Sequence, residues 1–351
     1  MDFCKQSEQK SIEWNSKCFR YELVPQMKYR QQECCYCIAI DKNNSIVVAG
    51  SNNNIKVLQL KDGLKQIQLI NKHQNAITTL IVFKNRSYFI SGSNDCSIII
   101  WSFNMISNAK YISKLIGHKD WIKCLIVNPK IETTIISGSY DKTIKIWSLS
   151  TNFQQQDQQS WVCTQTITSH LNQVEAISIN QNGNKLLSCG ADSMIFVFQE
   201  VDRLWKLKQK IQLKEFGYRI SFITDDQFAF QPRNNYLCIY TLNSVTDLYN
   251  NQINIQVQGG QKNCDSYFPL ICLNDHQMLI SKNGININLL KYEFNLTNNI
   301  DCKLIQVIEF QYLCQWDGMI YGTASNDGKY LITWDLKSKA IQIRQLKQNH
   351  E

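Results

Sequence analysis

The chain has 351 residues, of which 44% are hydrophobic and 11% are aromatic. This length suggests either two ordinary domains or one domain built from repeats, and the apolar content excludes wholesale disorder. The 37 Lys and Arg residues against 29 Asp and Glu residues leave a formal net charge of +8. That excess is too small to indicate a nucleic-acid or membrane protein by itself, so it mainly favours solubility.

The N-terminal segment has no feature of a secretory signal. Residues 1–10 lack a basic stretch followed by an apolar run. Apolar stretches such as residues 79–83 are far shorter than the roughly 20 residues that span a bilayer. We therefore expect a cytoplasmic protein without a membrane span, with the nucleus as a second address. Residues 1–33 form an N-terminal extension in which Phe19, Tyr21 and Leu23 alternate with polar residues, which predicts an extra strand or a strand that closes the fold.

Cysteines are the next feature along the chain. The 14 cysteines are spread over its whole length, as is typical of free thiols in a reducing compartment. Cys34 and Cys37 form a C-x-x-C motif, but a zinc site needs a second pair of ligands at suitable spacing, and the nearest downstream histidine is His73. The same cysteines fit an alternating strand, so we predict no metal.

The central part of the chain repeats one pattern three times. Residues 90–101, 136–147 and 187–198 each contain Ser, then Asp four positions later, then an aromatic residue six positions after that, and a histidine precedes each copy. The copies start 46 and 51 residues apart, close to the roughly 40 to 45 residues of a propeller-blade repeat. The Gln-rich residues 152–160 explain the longer interval as a longer loop.

These segments resemble WD40 repeats. Residues 137–147 read SGSYDKTIKIW, close to the WD40 core pattern, and Gly117-His118 and Trp334-Asp335 match its Gly-His and Trp-Asp elements. Weaker copies lie at residues 49–58, 228–242 and 278–290. The resemblance implies an all-β fold, a seven-bladed β-propeller in which each blade is a four-stranded antiparallel sheet.

The repeats also predict the limits of the propeller. It is expected to occupy residues 34–346 and to be followed by a short tail at residues 347–351. Its blades are expected near residues 34–70, 77–115, 122–167, 174–213, 219–258, 267–308 and 312–346. Residues 341–346 can complete the last blade, and so can the N-terminal extension. One of these two segments is then spare, and the sequence does not choose between them.

The repeated Ser, His and Asp residues are of the types that form hydrolase triads. A catalytic centre is one constellation in one cleft with an oxyanion hole, whereas this set recurs in three copies. We therefore predict no catalytic residues and no cofactor. The resemblance instead implies a structural network in which Asp accepts from His, His engages Ser, and Ser accepts from the indole N–H. The network residues are His73, Ser91, Asp95, Trp101, His118, Ser137, Asp141, Trp147, His170, Ser188 and Asp192, and Phe198 replaces the last Trp.

The resemblance also implies that the loops carrying His and Asp open on one face, the usual binding face of the family. Trp121 stands out there because the matching residues of the neighbouring copies are Ala76 and Gln173, and interfaces concentrate their energy in Trp, Tyr and Arg. The alternative is that Trp121 packs against its own blade. The candidate partner-binding residues are Trp121, Tyr140, Lys119, Asp120, Lys142, Asn75, Asn94 and Gln173.

A basic stretch supports a second hypothesis. Residues 203–219 contain six Lys or Arg residues and one Glu, for a net charge of +5, and such a surface could bind nucleic acid, a ribonucleoprotein or acidic lipid. Its alternating pattern equally fits an exposed edge strand whose lysines oppose aggregation. The main prediction is a non-catalytic scaffold that binds one or more proteins within a larger intracellular assembly. Nucleic-acid binding through residues 203–219 is the alternative.

Overall fold

The structure is a computed structural model that describes residues 18–104, 110–151, 159–259, 267–295, 299–311 and 318–349. Within these ranges the chain forms 28 β-strands and a short 3-10 turn at Asn274–His276. No helix in the described part of the chain is long and apolar enough to cross a membrane. Half of the predicted N-terminal extension, most of the Gln-rich loop and the end of the predicted tail lie outside the described residues.

The strands of the described residues pair into seven four-stranded sheets, which we call blades. The first strand, β1 (Cys18–Arg30), precedes blade 1. Blade 1 contains β2 (Ile38–Ile40), β3 (Ile46–Ser51), β4 (Asn54–Leu60) and β5 (Leu64–Asn71). Blade 2 contains β6 (Ile77–Val82), β7 (Tyr88–Ser93), β8 (Ser97–Ser102) and β9 (Tyr111–Ile116). Blade 3 contains β10 (Ile122–Val127), β11 (Thr134–Ser139), β12 (Ile144–Thr151) and β13 (Gln159–Ile167). Blade 4 contains β14 (Val174–Ile179), β15 (Lys185–Gly190), β16 (Met194–Val201) and β17 (Leu204–Gln212). Blade 5 contains β18 (Gly217–Phe222), β19 (Gln227–Pro232), β20 (Tyr236–Asn243) and β21 (Leu248–Gln256). Blade 6 contains β22 (Ile271–Leu273), β23 (Met278–Asn283), β24 (Asn286–Phe294) and β25 (Ile300–Glu309). Blade 7 contains β26 (Ile320–Ala324), β27 (Tyr330–Asp335) and β28 (Ala340–Asn349), and β1 is its fourth strand.

The predicted seven-bladed all-β propeller is confirmed. The inner strands of consecutive blades lie beside one another, and β2 of blade 1 also contacts β26 of blade 7. Seven apolar clusters fill the seven spaces between neighbouring blades. In the space between blades 1 and 2, for example, Val48 and Val57 belong to the same cluster as Phe89 and Trp101. Each sheet therefore buries both faces against its neighbours, which closes the ring.

The last blade is built from both ends of the described chain. β28 is its third strand, and β1 pairs antiparallel with β28 on the outside, with Arg30 opposite Ala340. Tyr21 of β1 is buried, and its hydroxyl donates to the carbonyl of Gly328 at 2.5 Å. The expectation that one terminal segment is spare is wrong, because residues 318–349 supply three strands of this blade and β1 supplies the fourth.

The Gly of the repeated Ser-Gly-Ser pattern lets consecutive blades pack closely. A Cβ atom at Gly92 would lie 2.6 Å from Cγ2 of Ile122 on the next inner strand. A Cβ atom at Gly138 would lie 2.7 Å from Cγ1 of Val174 in the same way. The absence of a side chain at this glycine therefore makes room for a side chain of the next blade.

Candidate interaction surface

Blades 2 and 3 each carry a four-residue hydrogen-bond chain. In blade 3 the indole N–H of Trp147 donates to Oγ of Ser137 at 2.9 Å, and Ser137 lies 2.7 Å from Nε2 of His118. His118 Nδ1 then lies 2.8 Å from Oδ2 of Asp141. A neutral imidazole protonated on Nδ1 satisfies every group in this chain. The corresponding chain in blade 2 joins Trp101, Ser91, His73 and Asp95 through three contacts of 2.8 Å.

The aspartate at the end of each chain joins two loops. Asp141 Oδ2 also accepts from the backbone N–H of Lys119 at 2.9 Å, and Oδ1 accepts from the hydroxyl of Thr143 at 2.6 Å. The loop before β10, which holds His118 and Lys119, is thereby tied to the loop between β11 and β12. These two loops are held rigidly on one face of the propeller, because the groups that join them are buried and satisfied.

The protonation of these aspartates follows from their partners. Burial alone would raise the pKa of Asp95, but hydrogen bonds from His73 and Ser97 outweigh it and hold the pKa well below the ordinary value of a carboxyl group. The pKa values of Asp141 and Asp192 are lowered by the same balance. All three carboxylates are therefore charged at neutral pH.

Blade 4 has a shorter chain. His170 lies 2.9 Å from Oδ2 of Asp192 and 2.8 Å from Oγ of Ser188. Phe198 occupies the position of the indole and has no N–H to donate. The ring of Phe196 packs edge-on against His170 at 4.6 Å between centroids. The imidazole in blade 4 is thus held by ring packing as well as by hydrogen bonds.

The Ser, His and Asp contacts have the order of a hydrolase triad, yet their surroundings differ from an active site. Ser91, Ser137 and Ser188 are each 0% exposed. In two of the three chains the serine oxygen also accepts an indole N–H. A nucleophile must reach a substrate atom, and these hydroxyls cannot.

Trp121 and Tyr140 form an aromatic pair on the face that carries the His and Asp loops. Their ring centroids lie 5.2 Å apart at 59°, and the N–H of Tyr140 donates to the carbonyl of Trp121 at 3.0 Å. Trp121 is nevertheless 40% exposed. Its indole therefore contacts a neighbour in its own blade and still presents a large apolar surface to solvent.

A family model described as "WD domain, G-beta repeat" matches residues 64–102, 109–148 and 161–199. Each match runs from the outer strand of one blade through the first three strands of the next, so it includes the His, Ser and Asp positions of blades 2, 3 and 4. The matched segments are WD40 repeats of this seven-bladed β-propeller. Its sequence repeat and its structural blade are therefore offset by one strand, and each repeat connects two neighbouring blades.

Three curated relatives show how far the likeness extends. The chain is 31% identical over 112 residues to nuclear distribution protein PAC1 of Komagataella phaffii, which is 32% of this chain and 21% of that protein. It is 28% identical over 108 residues to transducin beta-like protein 3 of Bos taurus, or 31% and 13% of the two chains. It is 23% identical over 173 residues to protein transport protein sec13 of Aspergillus fumigatus, or 44% and 55%. The match thus spans about half of the last relative and much less of the other two.

Three charged candidates flank the aromatic pair of this WD40 propeller. Lys119 and Lys142 have exposed side chains. Asp120 is half-buried, and its Oδ1 accepts the backbone N–H of Trp121 at 2.8 Å. Asp120 therefore fixes the backbone below Trp121, whereas the two lysines remain at the surface.

The candidates from the neighbouring blades lie on the same face but not in the same surroundings. Asn75 of the blade 2 loop is exposed, and its Oδ1 accepts the backbone N–H of Ala76 at 2.8 Å. Asn94 is half-buried, and among the described residues its Oδ1 has no hydrogen-bond partner. Gln173 of the blade 4 loop donates to Oε1 of Glu175 at 3.2 Å. The side chain of Gln173 therefore contacts β14, the inner strand of blade 4.

Sequence reasoning missed a buried cation beside this surface. Lys123 is 7% exposed, and its Nζ lies 5.0 Å from the ring centroid of Tyr140 and 4.3 Å from that of Tyr267. Its Nζ is also 3.4 Å from Oε2 of Glu175. The signal in the sequence was a charged residue, Lys123 or Glu175, at the same position of two mostly apolar inner strands. The Trp121 surface therefore continues through Tyr140 to a cation held between two rings.

The basic stretch at residues 203–219 is divided between surface and interior. Lys206 and Lys210 are exposed on β17, the outer strand of blade 4. Lys208 is paired with Asp247 at 2.7 Å. Arg219 is only 1% exposed, and its Nε donates to the carbonyl of Phe268 at 2.7 Å. The prediction that Arg219 belongs to the same basic surface as these lysines is wrong, because Arg219 lies on the inner strand β18.

The cysteines with described side chains are all free thiols. Cys37 is buried, and its thiol donates to the carbonyl of Ile77 at 3.4 Å. Burial raises the pKa of Cys35 and Cys37 far above that of an ordinary thiol. Within the described ranges, no three His, Cys, Asp or Glu residues lie close enough together to hold a metal ion. Cys37 is therefore a buried packing residue, and Cys34 is partly buried against the apolar cluster between blades 1 and 7.

Proposed function

We propose that this WD40 propeller is a non-catalytic scaffold that binds one or more proteins through the face bearing the His and Asp loops. The observation that supports this most strongly is the exposed indole of Trp121, 40% accessible, on loops fixed by His118 and Asp141. A rigid aromatic residue loses little conformational freedom on binding, which makes it a typical energetic centre of an interface.

The surroundings of Trp121 define the rest of the surface. Tyr140 supports one side of the indole, while Lys119 and Lys142 provide charges at the rim. Charges at the rim of an interface mainly set the association rate and the choice of partner. The aromatic centre, which becomes buried when the partner binds, mainly sets the lifetime of the complex. The proposal extends to the exposed amide of Asn75 in the neighbouring blade, and to Asn94 and Gln173 as partly buried contributors.

The proposal includes the cytoplasm as the place of action, with the nucleus as the alternative. The free thiols support a reducing compartment. Two relatives are called a nuclear distribution protein and a protein transport protein. The matched stretches cover 21% and 55% of those proteins, so the proposal for this chain is limited to protein binding.

Affinity purification from the native cell, followed by quantitative mass spectrometry, tests the proposal. We expect Trp121→Ala to lose most of the proteins that co-purify with the unmodified chain. Tyr111→Ala is the matched control, because Tyr111 is 46% exposed but lies on β9, the outer strand of blade 2. If Trp121→Ala is folded and retains every partner, this face is not the binding surface.

A further inference from the structure

Blade 5 departs from the hydrogen-bond chain of blades 2 to 4. In blade 3 the imidazole of His118 lies between Ser137 and Asp141. Its ring centroid is 6.3 Å from that of Trp147. The loop that leads into blade 5, residues 213–216, reads Leu-Lys-Glu-Phe and contains no histidine. The space that an imidazole fills in blade 3 therefore receives no such ring from the corresponding loop of blade 5.

The counterparts of the chain residues in blade 5 are identified by strand register and by one turn. Register places Phe230 at the serine position and Tyr240 at the indole position. Asn234 takes the aspartate position, because its Oδ1 accepts the N–H of the residue two positions later at 3.0 Å, as Oδ1 of Asp141 does at 2.9 Å. All three counterparts line an open cavity of about 580 Å³ between blades 4 and 5. The cavity thus lies where blade 3 has its imidazole.

Strand register also shows which side chains face this cavity. Asn251 is paired with Tyr240 and therefore lies on the same face of blade 5. Asn254 is paired with Cys238, two positions before Tyr240 on its strand, and lies on this face as well. Ile211 of blade 4 belongs to the apolar cluster that fills the space between the two blades. All of these residues line the cavity.

The wall is aromatic where it is buried and carries amides where it is exposed. Its buried aromatic residues are Phe230, Tyr240 and Tyr249. Asn251 and Asn254 are exposed, and Nδ2 of Asn251 donates to Oδ1 of Asn254 at 3.0 Å. This bond leaves Oδ1 of Asn251 as an acceptor and Nδ2 of Asn254 as a donor beside each other. The two amides therefore form an edge that can pair with an adjacent donor and acceptor of a ligand.

A ligand that fits both parts of this wall has apolar ring faces and a hydrogen-bonding edge. Water satisfies the amides but not the aromatic part, and a phenyl ring does the reverse. A nucleobase has both features, and asparagine amides pair with such edges. Tyr236 of the same wall is 47% exposed and offers a ring for stacking. We propose that the cavity binds the base of a nucleotide, with Asn251 and Asn254 at its hydrogen-bonding edge.

Basic residues beside the cavity suit the phosphate of a nucleotide. The outer strand β17 forms one wall and exposes Lys206 and Lys210, and Lys214 is exposed in the loop that follows. Glu215 is the one carboxylate among the described residues of the wall. Lysines attract phosphate groups without reading a sequence. The nucleotide can be free, or it can belong to a single-stranded nucleic acid whose phosphates follow β17.

The test compares adenosine monophosphate with ribose 5-phosphate, which has the same sugar and phosphate but no base. Binding is followed by two-dimensional ¹⁵N NMR of the full chain at the backbone amides of Tyr236 and Cys238, because both residues line the cavity. We expect saturable shifts with adenosine monophosphate and at least about tenfold weaker binding of ribose 5-phosphate, because stacking and edge pairing both require the base. If the two compounds bind equally, or if no shift saturates, the proposal is wrong.

Two asparagine variants test the hydrogen-bonding edge. Asn254→Ala removes the donor of the edge, and we expect adenosine monophosphate to bind at least about fivefold more weakly. Asn250→Ala is the matched control, because Asn250 is exposed on the same strand but is paired with Thr241, on the opposite face of the sheet. Both side chains are exposed, so both variants should fold. Equal affinity of the two variants for adenosine monophosphate contradicts the proposal.

Further probes separate the two sources of the nucleotide. An RNA hexamer of adenosine that binds more tightly than adenosine monophosphate assigns the site to single-stranded nucleic acid. In that case Lys206→Gln should weaken binding of the hexamer and reduce its salt dependence, and should leave binding of adenosine monophosphate unchanged. Lys206 suits this comparison because it is exposed on β17 but does not line the cavity. Equal or tighter binding of adenosine monophosphate assigns the site to a free nucleotide.

Two controls define the class of ligand and the independence of the site. N-acetyl-tryptophanamide represents an aromatic side chain of a partner protein, and tighter binding of this probe than of adenosine monophosphate overturns the nucleotide assignment. Trp121→Ala should bind adenosine monophosphate as the unmodified chain does, because Trp121 lies in blade 3 and does not line this cavity. The nucleotide site and the partner-binding surface can therefore fail separately.

Discussion

The side chain of Gln209 in blade 4 forms two hydrogen bonds with the backbone of Tyr249 in blade 5. Its Nε2 donates to the Tyr249 carbonyl at 2.8 Å, and its Oε1 accepts the Tyr249 N–H at 2.8 Å. Two other glutamines join neighbouring outer strands in the same way. These pairs are Gln165 with Trp205 between blades 3 and 4, and Gln306 with Tyr21 between blades 6 and 7. Each glutamine lies at a register shift of its strand, which directs its side chain toward the next blade.

Gln209→Ala should lower the free energy of unfolding by about 1 to 3 kcal/mol, because it leaves a partly buried N–H and C=O of Tyr249 without partners. Urea unfolding measures the change. Gln212→Ala on the same strand is the control, since Gln212 is exposed and its two contacts are long, at 3.3 Å. Equal stability of the two variants would show that the pair contributes nothing beyond a surface contact.

Asp141→Asn should make the stability of the protein less dependent on pH in the acidic range. The folded-state pKa of Asp141 is lowered below the unfolded value, so its stabilising effect is present above about pH 4 and is lost as the pH falls through the folded pKa. The variant should therefore be less stable near neutral pH, by about 1 to 3 kcal/mol, and the difference should narrow as the pH falls below about 4. Denaturant unfolding at a series of pH values measures both effects.

Asp62→Asn provides the comparison for this series, because Asp62 is exposed. We expect its stability to follow that of the unmodified chain at every pH. A constant difference between Asp141→Asn and the unmodified chain over the acidic range would mean that the charge of Asp141 is not what stabilises the loops.

Trp147→Phe converts the hydrogen-bond chain of blade 3 into the arrangement that blade 4 has with Phe198. The change removes the indole N–H that donates to Ser137 but keeps an aromatic ring in the buried site. We expect a loss of about 1 to 2 kcal/mol in the free energy of unfolding. Trp161→Phe is the control, because the indole of Trp161 donates none of the hydrogen bonds found in the described residues. If Trp161→Phe loses more stability than Trp147→Phe, the smaller ring rather than the missing hydrogen bond is the cause of the loss.

The fold was predictable because its signals are local and repeated. The spacing of Ser137, Asp141 and Trp147 follows from one tight turn and one strand, so a single sequence shows it. The three confirmed WD40 repeats run from the outer strand of blade 1 to the third strand of blade 4, and they include the hydrogen-bond chains of blades 2 to 4. In blade 5 the strand register places Phe230 at the position of Ser137. In this blade only the strand pattern of the sequence indicates a blade.

The missed features depend on contacts between distant residues. Gln209 and Tyr249 are 40 positions apart, and nothing in the sequence distinguishes Gln209 from other glutamines on outer strands. The role of β1 required knowing how many strands the C-terminal residues supply. Arg219 follows a run of surface lysines in sequence, but the chain crosses from the outer strand of blade 4 to the inner strand of blade 5 between them.

Trp121→Ala should reduce the free energy of unfolding by no more than about 1 kcal/mol, as is usual for a surface side chain. The reason is that Trp121 is 40% exposed and packs mainly on Tyr140. Trp147→Ala should cost about 3 to 5 kcal/mol, because Trp147 is 3% exposed and bonded to Ser137. Urea unfolding of both variants makes the comparison. If the two losses are equal, Trp121 is a packing residue of its own blade, and the surface proposed for partner binding has no energetic centre.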